Sequence, residues 1–237
     1  MQSIFRSSFF RATVLGLGAS MIVGCASSTP TINTSADAEQ TFDGLFPVEG
    51  GRMDAAWARA DFNLEEFSKV MLEGVGVEYR PGGSTRSTTR GGSGGEHFQL
   101  TEAQKENFEQ EMADAFTEEL ANGEHFEIVT EPGPDVLLIR GALLDVVSFV
   151  PPPITGRGDI FLSRVGEVTL VLEMRDSVSN TILLRAVDRR AAENRSGGTR
   201  SNSVTNRAEV RRVARAWAQI VREALDLFMV EGNPAGG

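Results

Sequence analysis

The run Gly91-Gly92-Ser93-Gly94-Gly95 fits the G-x-S-x-G pattern of a nucleophile elbow, in which a serine on a sharp strand-to-helix turn attacks an acyl carbon. Its setting argues against that chemistry. The stretch from Pro81 to Gly95 holds, beyond the proline, only Gly, Ser, Thr and Arg. It reads as a flexible loop of a length that a compact domain rarely carries unless it is disordered or ordered by a partner. His97 and His125 are the only histidines and have no metal-ligand spacing with each other or with carboxylates, so both read as surface or strand-end residues. No dinucleotide or phosphate loop follows, and neither a metal nor another cofactor is expected. The most pointed polar cluster is Asp188-Arg189-Arg190. Its guanidinium forks are suited to a carboxylate or phosphate of a ligand or partner, with Asp188 orienting them. Alternatively, Asp188 ties a strand end to its neighbouring arginines.

Cys25 is the only cysteine, so it can form no intramolecular disulfide and no cysteine zinc site. It closes a segment that begins with Arg6 and Arg11 and runs apolar from Ala12 to Gly24. A cationic start, a short apolar core and small residues at the end describe an export signal. The core is too short to span a bilayer, which takes about 20 apolar residues. The Ile22-Val23-Gly24-Cys25 stretch resembles the bacterial lipobox, and that resemblance implies cleavage between Gly24 and Cys25 with acylation of the cysteine. Each acyl methylene buried in lipid contributes about 0.8 kcal/mol, so several chains on one cysteine anchor a protein lastingly. Ala26, rather than an aspartate, follows the cysteine, and the same resemblance implies sorting to the outer membrane with the domain facing the periplasm.

Removal of residues 1–24 takes away two arginines and no acids, so the net charge moves from −10 to −12. So acidic a chain repels phosphate backbones, and nucleic acid is not an expected partner. The charge is also unevenly spread. Glu96 to Asp135 carries twelve acids and one lysine, whereas Arg175 to Arg222 carries eleven arginines and four acids. If both surfaces stay exposed they are complementary faces for a partner or a second copy. If they meet within one molecule they are internal ion pairs.

The elements that would position these groups are read from periodicity. Residues 25–41, rich in Ser, Thr and Ala, form an acylated tether expected to be disordered, because so few large apolar groups cannot offset ordering entropy. One domain is expected over residues 42–230, and 231–237 is a disordered tail. Phe42 to Phe67 lacks a sustained period and reads as an irregular packed arm. Lys69 to Arg80 reads as a strand with a bulge at Gly74 and Gly76. Thr101 and Gln104 form a capping box for a helix with Phe108, Met112, Phe116 and Leu120 on one face, ending near Asn122-Gly123. Its other face is acidic and solvated, so it offers no paired carboxylates of the glycosidase kind. A short strand over Phe126 to Thr130, a long one over Val136 to Val150, and a hairpin of alternating residues around Asp176 to Asn180 follow. The last helix opens at Asn206 and buries Val213, Trp217, Val221 and Phe228. The pattern predicts an α+β fold, a mainly antiparallel sheet of about five strands with two helices on one face.

Four stretches are shared with a known family. They are Asp43-Gly44-Leu45-Phe46, Ala60-Asp61-Phe62 leading to Phe67-Ser68-Lys69-Val70, the Glu131-Pro132-Gly133-Pro134 turn, and Glu173-Met174-Arg175-Asp176-Ser177 followed by Ala186-Val187-Asp188-Arg189-Arg190. By these the chain from Phe42 to Phe228 resembles the bacterial lipoproteins grouped as domain of unknown function 3313. It departs from them at Pro47-Val48-Glu49, where they usually have Asp-Tyr-Ser. The resemblance implies lipidation and an envelope location, and it transfers no catalytic residue. The expected role is non-enzymatic binding or structure in the envelope, with the bilayer and either an envelope protein or a second copy as partners. A small-ligand or peptidoglycan-associated domain using the arginines is the alternative, and an envelope hydrolase the third.

Overall fold

In a computed structural model, residues 29–81, 97–152, 159–193 and 198–231 are described. The tether therefore keeps little of its expected length: Thr31–Ile32 is already a strand, β1, and Ile32 is buried. The Ser/Thr-rich composition masks one apolar residue, which is enough to pin the chain to Val48 of β2 (Phe46–Glu49). β3 (Ala55–Ala58) follows, so the arm expected to be irregular supplies two more strands. Both are four residues long, too short to show a period.

β4 (Lys69–Tyr79) leads into α1 (Glu102–Leu120), whose Thr101–Gln104 box forms as the sequence predicts. β5 (Glu127–Val129) and β6 (Val136–Ser148) come next. A two-residue strand, β7 (Phe161–Leu162), precedes the hairpin of β8 (Arg164–Asp176) and β9 (Ile182–Glu193). β10 (Thr199–Arg200) pairs with β7 as a separate ribbon and leads into α2 (Ser203–Glu231). That helix starts ahead of Asn206. The Asn202 side chain accepts from the amides of Val204 and Thr205, and Thr205 Oγ1 accepts from the Asn202 amide. Asn206 lies inside the first turn.

The main sheet has eight strands in the order β1-β2-β3-β9-β8-β6-β4-β5. It is mixed, not mainly antiparallel with about five strands. β4 runs parallel to both β5 and β6: α1 carries the chain back to the start of β4 before β5, and the turn over residues 130–135 returns it again before β6. The α+β class and the two helices on one face hold. Leu137, Ile139, Leu170, Leu172 and Met174 meet Met112, Ala115, Val213, Trp217, Val221 and Phe228 in one core. The bulge in β4 lies between Gly74 and Gly76, where Gly76 takes a positive φ of 141°. A second bulge in β6 puts Asp145 at φ 54°, a left-handed conformation that a short polar side chain tolerates. Among the described residues no helix is long and apolar enough to cross a membrane.

Candidate functional site

Asp188, Arg189 and Arg190 do not converge. They are consecutive residues of β9, so Asp188 and Arg190 face the helices while Arg189 faces away. Asp188 is 4 % exposed and fully engaged. Its Oδ2 accepts from Trp217 Nε1 and from Arg190 Nε, each at 2.6 Å, and its Oδ1 accepts from the Asp54 amide at 2.9 Å. Asp54 returns the bond by accepting from the Arg189 amide at 2.9 Å. Arg190 also lies over the indole of Trp217, 5.8 Å from its centroid. The cluster is a knot joining β9, the turn before β3, and α2. Arg189 pairs on the opposite face with Glu167 at 2.5 Å.

Part of the charge asymmetry is satisfied inside the molecule. Arg207 and Arg211 reach Glu111, Arg211 and Arg215 reach Glu118, and Arg222 reaches Glu119, at 2.5 to 3.2 Å. These pairs join α1 to α2, so the two faces read from the sequence meet one another in part. Arg211 and Arg215 hold the Glu118 carboxyl below its usual range.

The face of the sheet turned from the helices carries a second network. Glu73, Arg140, Glu173 and Arg185 stand in register on β4, β6, β8 and β9. Glu73 pairs with Arg140 at 2.7 Å, Glu173 with Arg175 at 2.6 Å and with Arg185 at 2.9 Å, and Arg185 with Asp43 at 2.7 Å. Burial works against ionisation of Glu173, but the hydrogen bonds from Arg175 and Arg185 outweigh it and hold the carboxyl below its usual range. Asp43 is lowered chiefly by the Thr41 hydroxyl, with Arg185 assisting. These acids and bases are committed to one another, an arrangement that stiffens a sheet face rather than presenting a free nucleophile or base.

His97 lies 3.1 Å from the Pro81 carbonyl and His125 is exposed. Among the described residues no group of three His, Cys, Asp or Glu side chains is placed to hold a metal. Ser93, with Gly24 and Cys25, lies outside the described residues.

What the sequence did not single out is the edge beside β4. β5 covers only Lys69 to Met71, while β6 flanks the other side through Tyr79. From Leu72 onward no described strand pairs with the outer edge. Along that edge runs a cleft of about 450 Å³ between α1 and the sheet. Leu72, Val77, Met112, Phe116, Ile139 and Leu172 give it apolar walls, and Gly74, Gly76 and Gly141 leave its floor bare. A larger apolar cleft, about 740 Å³, separates β1–β3 from the C-terminal half of α2 and is bordered by Thr29 and Pro30. The signal for the first cleft in the sequence is Gly74-Val75-Gly76-Val77, a strand segment that alternates bare and apolar positions.

No curated protein matches the sequence. Among solved structures the chain is similar to a PelC dodecamer from Paraburkholderia phytofirmans, at 12 % identity over 70 % of this chain and 96 % of that one, TM-score 0.33. A neuraminyllactose-binding hemagglutinin homolog from Helicobacter pylori superposes at 10 % identity over 72 % and 89 %, TM-score 0.37. A DUF330 protein from Xanthomonas campestris does so at 11 % identity over 73 % and 89 %, TM-score 0.33. The family model described as "Protein of unknown function (DUF3313)" matches residues 35–221, and the chain belongs to that family.

Proposed function

We propose that the protein is a lipoprotein anchored in the outer membrane through acylated Cys25, with its folded domain in the periplasm and a non-enzymatic binding role toward another envelope protein. The observation that carries the anchoring is the sole cysteine at the end of a cationic and apolar leader, directly after Val23-Gly24. A binding role is supported by the state of the polar groups. Asp188, Arg189, Arg190 and the sheet-face acids are held by partners within the fold, while among the described residues no strand covers the edge of β4 beside its apolar cleft. The arginines on which the ligand-domain alternative depended lie on opposite faces of β9.

Metabolic labelling with an alkyne-bearing palmitate and membrane fractionation test the anchoring. The wild-type chain takes the label and sediments with outer membranes. Cys25→Ser takes no label and stays at precursor length or becomes soluble. A Cys25→Ser chain that is still labelled and cut at the same bond overturns it.

A further inference from the structure

Three features of the β4 edge bear on the same question. The first is the backbone. Leu72 to Tyr79 is hydrogen-bonded to β6 on one side, and no described strand lies on the other. Alternate N–H and C=O groups along that stretch point outward and require partners, and an unpaired edge of this length is a template for a further strand. Val75 in its middle is 58 % exposed. The second is the cleft. Side chains on a strand project to alternate faces, so every second residue of a strand added here would enter the space under α1. The floor of that space is bare: a Cβ built on Gly74 or on Gly141, which pair across β4 and β6, meets no atom within 4 Å. The third is charge. Glu109 lines the cleft and Glu78 is exposed beside it, while Lys105 is held by Glu102 and Glu73 lies on the opposite face of the sheet, paired with Arg140.

We propose that the free edge of β4 takes up an extended segment of another envelope protein as an added strand. That segment carries apolar side chains at alternate positions, which enter the cleft under α1, and lysine or arginine residues that meet Glu78 and Glu109. The inference rests on the binding role proposed above and names the chemistry of the partner.

Two nearer occupants fit less well. Residues 82–96 follow β4 directly but contain no large apolar side chain to fill the cleft. A second copy pairing its own β4 antiparallel about Val75 and Gly76 would set Glu73 opposite Glu78, and like charges directly opposite are unfavourable.

The test places a photo-crosslinking amino acid at position 75 of the full-length chain in cells, with position 178, exposed in the β8–β9 turn, as control. The expected result is one adduct from position 75 with a different envelope protein, mapping by mass spectrometry to an extended segment of alternating apolar and basic residues. Gly74→Val fills the cleft, keeps or raises Tm and removes the adduct. Gly141→Val does the same from the neighbouring strand and serves if Gly74→Val lowers Tm. In parallel, the purified lipidated protein in detergent binds the peptide Val-Lys-Val-Thr-Val-Lys-Val at least tenfold more tightly than the peptide N-methylated at alternate backbone nitrogens. Five outcomes overturn the inference: no adduct, an adduct to residues 82–96, an adduct to a second copy, equal capture from positions 75 and 178, or an adduct that survives both valine variants. None of them bears on labelling at Cys25, so the anchoring stands or falls separately.

Discussion

Replacing Asp188 by alanine exposes the energetic role of the knot between β9 and α2. The carboxylate accepts three hydrogen bonds, from Trp217 Nε1, Arg190 Nε and the Asp54 amide. Its loss leaves the fully buried indole N–H without a partner. Breaking a buried charged pair by removing one member costs about 3–5 kcal/mol. The Arg190 side chain is 28 % exposed and can turn toward water, so the lower end applies, about 3 kcal/mol. For a domain of this size that corresponds to a fall in Tm of roughly 6–12 °C. The domain still folds, because small proteins carry about 5–15 kcal/mol in total. Urea unfolding followed by circular dichroism measures the loss, and a double-mutant cycle with Trp217→Phe identifies its source. Trp217→Phe removes the donor that Asp188→Ala orphans, so the two changes together cost less than their sum by about 1–2 kcal/mol. A loss below 1 kcal/mol for Asp188→Ala, or strict additivity in the cycle, refutes the reasoning.

Tyr79 is the only tyrosine, so the ultraviolet absorbance of tyrosinate reports it alone. Burial and the hydrogen bond to Glu109 push its phenol well above the ordinary value near 10. The folded chain should give no tyrosinate signal around pH 10, and the urea-unfolded chain should titrate there. The stabilisation linked to the phenol is complete below that pH and is lost as pH rises toward the folded value. A native titration at the ordinary value would contradict the Tyr79–Glu109 contact. On the acid side, Glu173 is depressed between Arg175 and Arg185. Its contribution is therefore present above the unfolded carboxyl value of about 4.3 and is lost as pH falls through the lower folded value. Glu173→Gln should flatten stability against pH in that window, and an unchanged acid limb would show that the sheet-face network does not carry it.

The hairpin of β8 and β9 was legible because Val168, Leu170, Leu172 and Met174 alternate with polar residues over a long stretch. α1 was legible because Thr101 and Gln104 mark its start unambiguously. The short strands were not. β1 holds two residues and β2 and β3 four each, and their place in the sheet is set by pairing with one another and, through β3, with β9 rather than by any pattern of their own. Parallel pairing of β4 with β6 was hidden for the same reason, since nothing in either strand records which neighbour it will have. Asn206 and Glu209 imitate a helix start, but Glu209 is buried and pairs with Arg212, and the cap is Asn202. The separation of Arg189 from Arg190 was available in principle: once Ala186 and Leu184 mark the inward face of a strand, two adjacent residues cannot both point into one pocket. The open edge of β4 had no such signature, because an edge is defined by the strand that is missing beside it.

β1, the strand nearest the proposed anchor in the chain, and β4 lie toward opposite ends of the sheet, and the distance between them follows from the topology. Three residues separate Cys25 from Thr29, the first described residue, and a fully extended chain over that interval reaches about 14 Å. An acylated Cys25 would therefore hold β1 and the end of β2 close to the bilayer, without the long leash that the Ser/Thr-rich composition suggests. β4 is the seventh strand in the order and β1 the first. Six inter-strand spacings place its outer edge about 29 Å further along the sheet. A domain anchored this short would not sweep the periplasm on its tether, and its reach would be the width of the sheet itself. On the proposed anchoring, the stretch of β4 beyond Met71, beside which no described strand lies, would stand well away from β1, where an extended segment of a partner would meet neither headgroups nor the anchor.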